Sequence, residues 1–218
     1  MYNELKDIAV SAGLTAFGVG HIEDLRPHFD ALPMDQTEKL SCGISIGARV
    51  SASVLKSCIT GPTRHYLHHY KMLNLLLDQT ALKISLALQD KGYNALPVPA
   101  SQIVDWEKQT AHLSHKMVAL RAGIGWIGRN NLLVHPAAGS GIRIATVLTD
   151  MPLQTDKPLE KDCGSCRKCM EICPVSAIKE SYKEWDKAAC LEKLKYFARA
   201  HNVGQYICGL CVKACQPL

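Results

Sequence analysis

Apolar and polar residues alternate along this chain with two periods, and each period predicts a kind of element. Apolar side chains recur every three or four residues in three stretches, which predicts helices over 2–12, 64–91 and 108–121. Short apolar or alternating runs bounded by glycine or proline predict strands over 15–20, 42–47, 93–98, 132–135 and 142–149. Together these elements predict an α/β or α+β fold, in which helices flank a sheet.

A break in this pattern predicts the domain organisation. The stretch 150–161 contains two prolines and several charges but no apolar periodicity, which is typical of a linker. We therefore expect one domain over 1–155 and a second, much smaller domain over 156–218. The second domain has too few residues for a large core of its own, so we expect its folding to be coupled to metal binding.

Cysteine is concentrated in this second domain, which holds eight of the ten cysteines. The first four are Cys163, Cys166, Cys169 and Cys173, followed directly by Pro174. This C-x2-C-x2-C-x3-C-P spacing is that of bacterial proteins with two iron–sulfur clusters, in which the fourth cysteine ligates the other cluster. The pattern indicates a protein that moves single electrons.

The remaining four cysteines complete two sets of four thiolates. Pro174 lacks an N–H, so we expect it to open a helix over 174–178 and to direct Cys173 towards the second site. The predicted sets are crossed: Cys163, Cys166, Cys169 and Cys215 hold the first 4Fe–4S cluster, and Cys173, Cys190, Cys208 and Cys211 hold the second. The alternative keeps Cys215 with its own neighbours and leaves Cys173 without a good partner set.

Other uses of cysteine fit the sequence less well. Zinc sites use C-x2-C pairs, but a third cysteine at the same spacing followed by x3-C-P is unusual for them. No signal peptide is visible at the N-terminus, and no stretch of about eighteen apolar residues predicts a membrane span. We therefore expect a reducing, cytoplasmic location. Cys42 and Cys58 lie outside the motif and are predicted to be small buried side chains.

The net charge of the chain restricts the possible classes of binding partner only slightly. The net charge is +5, which favours an acidic partner or an anionic cofactor but is no polybasic footprint for nucleic acid. The segment 123–128 matches G-x-G-x-x-G, yet a helix is predicted before it and a strand after it, the reverse of a dinucleotide site. We expect these glycines to allow a tight turn or a close approach to a ligand.

Histidines and tyrosines supply the other groups with chemistry. His65, His68 and His69 share a face of the long predicted helix, and His112 and His115 share a face of the next. We interpret them as polar residues around a cavity rather than metal ligands. Tyr66 and Tyr70 lie on one helical face and are candidates for hydrogen bonds to a large ligand, with a core role as the alternative.

Several of these segments occur in one recognisable order. It consists of RAGIGWIGRNNLL from Arg121, the turn 139–141, the stretch 148–153 and the first cysteines. In order and spacing this series resembles the epoxyqueuosine reductase family and, more remotely, the respiratory reductive dehalogenases. The resemblance runs from about Thr63 to the end of the chain. It implies a nitroreductase-like domain that holds cobalamin, followed by a small ferredoxin-like domain whose two 4Fe–4S clusters supply electrons.

The resemblance also implies where the cofactor lies. We expect cobalamin to lie against the loop formed by Gly123, Gly125, Trp126, Gly128, Arg129, Asn130 and Asn131. The candidates for a proton donor are His112, His115 and Tyr66. The family's ligation of the clusters agrees with the crossed sets. We therefore expect an oxidoreductase, a cobalamin-dependent reductase fed by a low-potential donor such as ferredoxin or flavodoxin.

Two departures from the family affect the expected substrate. Gln109 stands where the family has its catalytic acid, and an amide cannot deliver a proton. The sequence also ends just after its last cysteines, whereas the tRNA-modifying enzyme continues into a helical-repeat region that helps to hold tRNA. We therefore predict that tRNA is not a partner and that the acceptor is a small molecule or a corrinoid protein. A non-catalytic electron-transfer protein, a reductive activator and a flavin-binding reductase remain open alternatives.

Overall fold

The computed structural model describes residues 1–32 and 34–215, and its contacts divide the chain into two compact units. The sheet unit contains 1–48, 73–124 and 143–159, and the cysteine unit contains 49–72, 125–142 and 160–218. The linear division into 1–155 and 156–218 stays a prediction. The contacts add that two early stretches, 49–72 and 125–142, pack with the cysteine-rich end of the chain.

The regular elements are numbered in chain order. The strands are β1 (Ala16–His21), β2 (Cys42–Arg49), β3 (Ala95–Val98), β4 (Trp126–Ile127), β5 (Leu133–Val134) and β6 (Ile142–Thr149). The α-helices are α1 (Tyr2–Ser11), α2 (Met34–Thr37), α3 (Ala52–Lys56), α4 (Arg64–Gln89), α5 (His115–Arg121), α6 (Lys168–Glu171), α7 (Lys187–Ala200) and α8 (Leu210–Ala214). Two 3-10 helices lie at Glu23–His28 and Tyr182–Glu184.

The sheet unit is built on four strands in the order β1-β2-β6-β3. β1 pairs antiparallel with β2, and β3 pairs antiparallel with β6. β2 is buried at seven of its eight positions, as a central strand covered on both faces should be. The fold is therefore mixed α and β, as the sequence predicts, with antiparallel pairing in its sheet.

The core of the sheet unit follows the predicted apolar periodicity. Leu77, Ile84 and Leu88 are completely buried and lie on one stripe of α4. A second cluster includes Val118 of α5 and Leu148 of β6. These residues form the hydrophobic interior against which the helices pack.

Two predicted helices differ from the structure for local reasons. The helix predicted from residue 108 begins only at His115, because Asp105 Oδ1 accepts the backbone N–H of Glu107 and of Lys108, both at 2.9 Å. That Asx turn leads into Gln109 at φ +54°, which a helix excludes. The helix predicted after Pro174 is also wrong, because Ser176 has φ +49°.

The cysteine unit contains little regular structure. Its hairpin pairs two-residue strands, β4 with β5, and its helices α3, α6 and α8 have four or five residues each. The longer helix α7 lies wholly within its described residues, and Asp186 caps α7 by accepting the backbone N–H of Ala189. None of the helices in the described part of the chain has the length and apolarity needed to cross a membrane.

Candidate iron–sulfur site

The first group of thiols surrounds Cys169 on α6. Burial, followed by the neighbouring sulfurs of Cys215, Cys163 and Cys166, raises the pKa of the Cys169 thiol to about 11. Like charges on adjacent thiolates repel, so each neighbour opposes ionisation of the others when no metal is bound. The four residues of this group come from two stretches more than forty residues apart in the sequence.

The second group surrounds Cys190 on α7 and Cys211 on α8. Burial, followed by the neighbouring sulfurs of Cys173 and Cys208, raises the pKa of Cys190 to about 11. The pKa of Cys211 is also raised, first by burial and then by Cys208 and Cys190. Cys169 of the first group contributes to the same shift, so the two groups are neighbours in the unit, where α6 packs against α8.

The donor chemistry of these groups suits iron–sulfur clusters. All ten cysteines are free thiols, and each group offers four sulfurs, the number that a 4Fe–4S cluster takes. Cationic iron reverses the repulsion that raises the thiol pKa values, so cluster binding and thiol ionisation are linked. Within 1–32 and 34–215, no three His, Cys, Asp or Glu side chains converge on a site for one metal ion.

Arg129 lies beside the first group and donates to its backbone. Its Nη1 donates to the carbonyl of Cys166 and its Nη2 to the carbonyl of Gly164, each at 2.9 Å. Its Nε donates to Glu180 at 3.2 Å. The sequence predicts that Arg129 binds a cofactor, but three of its donors are used within the cysteine unit.

Asn130, the next residue, reaches the other end of the same group. Its Nδ2 donates to the hydroxyl of Ser140 at 3.0 Å, and both side chains are buried. The backbone N–H of Ser140 in turn donates to the carbonyl of Cys215 at 3.1 Å. Asn131 follows with φ +56°, which closes the turn between the strands of the hairpin.

At the glycines of this segment, neighbouring protein atoms lie too close to leave space for a side chain. A Cβ on Gly125 would lie 2.2 Å from the carbonyl oxygen of Val134, and one on Gly128 would lie 2.6 Å from the Val134 side chain. Gly123, in the sheet unit, has φ +66°, and its Cβ would lie 2.5 Å from the carbonyl oxygen of Lys157. These contacts account for the three glycines by close backbone packing.

Trp126 is the residue of the predicted cofactor loop that retains an unused polar group. Its indole Nε1 is buried and has no acceptor among the described residues. A buried donor without a partner costs free energy comparable to a lost hydrogen bond. A bound molecule with a carbonyl oxygen would satisfy it.

The two histidines predicted to donate protons lie in the sheet unit. His115 Nε2 donates to the carbonyl of Pro99 and its Nδ1 meets the hydroxyl of Thr146, both at 2.9 Å. Burial is the main cause that lowers the pKa of His115, to about 4. His112 Nε2 meets Gln102 Oε1 at 3.2 Å, whereas its buried Nδ1 has no partner in the described structure.

Tyr66, the third predicted donor, lies in the cysteine unit. Its ring packs edge-on to Tyr70 and lies where a Cβ on Gly209 would meet it at 3.0 Å. Gly209 has φ +86° and stands between the second-group residues Cys208 and Cys211. Tyr66 is therefore a close neighbour of the second thiol group. Since His112 and His115 belong to the other unit, the contacts within each unit do not bring the three predicted donors together.

Sequence reasoning missed two residues beside the thiol groups. Cys58 is completely buried, and its thiol is a neighbour that raises the pKa of Cys208. Glu180 accepts from both Arg129 and Arg167 beside the first group. Neither residue has a spacing that signals its position, because each reaches the site through tertiary packing.

Comparison with curated proteins finds relatives along part of the chain. An epoxyqueuosine reductase of Bacillus cereus is 44% identical over 69 residues, which are 32% of this chain and 18% of the relative. One from Atelocyanobacterium thalassa is 33% identical over 116 residues, which are 49% of this chain and 38% of the relative. The match thus spans well under half of the length of these relatives. No family model matches the chain.

Comparison with solved structures extends the likeness to nearly the whole chain. An epoxyqueuosine reductase from Streptococcus thermophilus has a TM-score of 0.67 at 18% identity, covering 99% of this chain and 67% of that one. One solved with an epoxyqueuosine-modified tRNA-Tyr stem loop has a TM-score of 0.56 at 21% identity, covering 80% and 52%. A reductive dehalogenase structure described for B12-dependent dehalogenation has a TM-score of 0.74 at 17% identity, covering 97% and 30%.

These likenesses first define a class. The mixed α and β fold is shared with solved reductases and a dehalogenase, and the curated relatives are named as reductases, which supports the prediction of an oxidoreductase. Within that class, the sequence relatives are epoxyqueuosine reductases. The chain therefore resembles epoxyqueuosine reductases, and the resemblance predicted from its motifs is confirmed.

Two predictions about function and partners are wrong. The sequence analysis predicts an unknown small molecule or a corrinoid protein as acceptor and excludes tRNA. The relatives instead carry the name of a specific reductase, and one neighbour was solved with an epoxyqueuosine-modified tRNA stem loop. The alternative of a non-catalytic electron carrier fits these relatives no better. The error arose because one substituted position, Gln109, and the point where the sequence ends were taken as evidence about the substrate.

Proposed function

We propose that this chain is a cobalamin-dependent oxidoreductase that acts on epoxyqueuosine-modified tRNA and receives its electrons through two 4Fe–4S clusters. The observation that carries the proposal is that Cys169 neighbours Cys215, Cys163 and Cys166, while Cys190 neighbours Cys173 and Cys208. The sequence relatives, which are named for this reductase, support the substrate. Free thiols in this number also support a reducing, cytoplasmic location.

The cysteine unit would hold the clusters in the crossed arrangement. The first cluster takes Cys163, Cys166, Cys169 and Cys215, and the second takes Cys173, Cys190, Cys208 and Cys211. The mutual pKa effects of Cys169 with Cys215, and of Cys190 with Cys173, support this assignment against the alternative that keeps Cys215 with its own neighbours. We describe the cysteine unit as ferredoxin-like and the sheet unit as nitroreductase-like.

Cobalamin would be held in part by Trp126. The corrin ring carries amide side chains, and the orphaned indole N–H of Trp126 fits one of their carbonyl oxygens. When bound, the clusters supply single electrons and the corrinoid supplies the reducing centre for the substrate. The side chains of Arg129 and Asn130 form hydrogen bonds within the cysteine unit. They would therefore support the loop that carries Trp126 rather than bind the ligand.

A proton donor is also needed, and the residues differ in their capacity to act as one. Gln109 donates its amide to the carbonyl of Trp106 and holds no acidic proton. The backbone N–H of Lys108 is the largest cause that lowers the pKa of Asp105, so that carboxyl is ionised at neutral pH. His115 uses both ring nitrogens internally. His112 keeps a buried Nδ1 without a partner and is our choice for the donor.

The proposed function can be tested in two stages with anaerobically reconstituted protein. In the first, cob(II)alamin is titrated in and followed by EPR, and we expect saturation at about one equivalent beside two reducible clusters. In the second, the loaded protein is given a chemical reductant and an epoxyqueuosine-modified tRNA stem loop. We expect the modified nucleoside to be reduced, and the unmodified stem loop serves as the control. Intact clusters without cobalt binding or turnover would refute the proposal.

A further inference from the structure

We propose that Arg129 is a positioning residue for the first cluster, which it serves by holding the backbone of the 163–169 loop and by placing a positive charge beside it. This inference rests on the proposed ligation of the first cluster. It assigns to Arg129 an effect on the cluster's assembly and reduction potential that a cofactor-binding role would not produce.

The hydrogen bonds of Arg129 are the first argument. Two guanidinium nitrogens donate to the carbonyls of Gly164 and Cys166, which lie between the first two cysteines and at the second one. The planar fork of arginine fixes both acceptors at once, which a lysine cannot do. Because Gly164 has φ +51°, this loop turns sharply, and its carbonyls need partners in place of a helix or strand.

The other side of the cluster is held by the same hairpin. Asn130 bonds to Ser140, whose N–H donates to the carbonyl of Cys215. A Cβ on Gly128 would lie only 3.5 Å from the Cys163 sulfur, so the hairpin backbone also lies against that ligand. Arg129 and Asn130 are thus connected to both chain segments that supply the first ligand set, Arg129 directly and Asn130 through Ser140.

Burial and charge are the second argument. The Arg129 side chain is 14% exposed, whereas Arg167, which shares the carboxylate of Glu180, is 51% exposed. The two arginines and the one glutamate carry a net charge of +1 beside the loop. Reduction adds one negative charge to a cluster, so a nearby positive charge that is largely shielded from solvent stabilises the reduced form and raises the potential. Charge, hydrogen bonds and burial are the protein's means of setting such potentials.

The simpler interpretation is that Arg129 only forms a surface ion pair with Glu180. Such pairs contribute little when exposed to solvent. Under that interpretation Arg129 and Arg167 would be equivalent, because both pair with the same carboxylate. Arg167 therefore provides a control within the chain: it has the same charge and the same partner, but it is exposed, and its one bond to the loop backbone, to the Ser165 carbonyl, is long at 3.4 Å.

The experiment compares Arg129→Gln, Arg129→Lys, Arg167→Gln and Glu180→Gln after anaerobic reconstitution. Iron and sulfide per chain measure assembly, and an EPR-monitored redox titration gives the midpoint potentials. If the wild-type chain fails to assemble two clusters, the proposed function fails before any variant is compared. When the wild-type chain assembles both clusters, differences among the variants test the role of Arg129 and not the proposed function.

We expect Arg129→Gln to shift one midpoint to a more negative potential, or to lose about half of the bound iron, with a smaller effect for Arg167→Gln. Arg129→Lys should retain more of the wild-type potential than Arg129→Gln, because it keeps the charge. Glu180→Gln should shift the same midpoint in the positive direction. Equal effects of Arg129→Gln and Arg167→Gln, or a negative shift for Glu180→Gln, would overturn the proposal.

Discussion

The sheet unit and the cysteine unit are stabilised by different physics. The sheet unit has strands of up to eight residues and a core of completely buried aliphatic side chains such as Leu77 and Leu148. The cysteine unit has mostly very short elements and relies on side chains such as Arg129 and Asn130 to satisfy its carbonyls. The first can therefore fold by hydrophobic burial, whereas we expect the folding of the second to be coupled to metal binding.

The largest expected difference between the units comes from removing a thiol. Cys211→Ala removes a partly buried member of the second group, so we expect about half of the iron to be lost and protection of α7 and α8 from hydrogen exchange to fall. Cys42→Ala is the control, since Cys42 is a buried cysteine in β2 of the sheet unit and lies outside both thiol groups. If Cys42→Ala loses as much iron as Cys211→Ala, the comparison fails.

Removing a core side chain should produce the opposite result. Leu148 is completely buried in the sheet unit, so Leu148→Ala should lower the free energy of unfolding of that unit by about 2–5 kcal/mol. Iron content in the folded protein should remain at the wild-type level. Leu82 is 52% exposed on α4, and Leu82→Ala should change stability little. Thermal unfolding followed by far-UV circular dichroism, beside an iron assay, would detect a departure from either result.

Close backbone contacts give a matched pair of smaller effects. A Cβ would lie 2.2 Å from the Ala122 carbonyl at Gly18 and 2.2 Å from the Val134 carbonyl at Gly125. Each Gly→Ala change should cost about 1–3 kcal/mol by overpacking. Gly18→Ala should weaken the sheet, while Gly125→Ala should slow iron loading through the β4–β5 hairpin.

A third glycine serves as the control for both. Gly92 has φ +83° and no atom within 4 Å of its Cβ position, so Gly92→Ala should show only backbone strain of about 1–2 kcal/mol. Denaturant titrations and the rate of iron incorporation would measure the three variants side by side. An effect of Gly125→Ala on the sheet alone would show that the hairpin does not support the thiol groups.

The expected effect that is smallest near neutral pH is a pH dependence confined to the sheet unit. The pKa of His115 is lowered from 6.5 to about 4, so the unfolded chain binds the proton more readily than the folded one. The stabilisation is therefore fully present above pH 6.5 and is lost as the pH falls towards 4, at no more than about 1.4 kcal/mol per pH unit. His115→Gln should flatten that slope in hydrogen exchange of β6. A slope unchanged by the substitution would mean that other groups cause it.

Function proved harder to predict than chemistry. The cysteine spacing and the glycine–arginine–asparagine series led to the resemblance that the curated relatives confirm, because several motifs in one order are more specific than any one of them. The substrate was predicted wrongly from Gln109. In the structure, Gln109 lies in a turn organised by Asp105, so the residue type at that position reports local backbone geometry as well as chemistry.

The sequence alone determined the parts of this protein that depend on neighbours in the chain. Apolar periodicity located α1, α4 and the main strands, since a side chain's face follows directly from its position in a helix or strand. Cysteine spacing predicted eight thiols in two sets of four because ligands three residues apart can surround one cluster. Both properties depend on sequence distances of a few residues.

Only the tertiary structure decided which distant groups meet. In the tertiary structure Arg129 donates to the backbone of the cysteine loop rather than to a ligand. Glu180 and Cys58 lie beside the thiol groups. Both ring nitrogens of His115 form internal hydrogen bonds. These outcomes depend on contacts between residues that are tens of positions apart. The packing of the whole chain selects such contacts, and no local pattern records them.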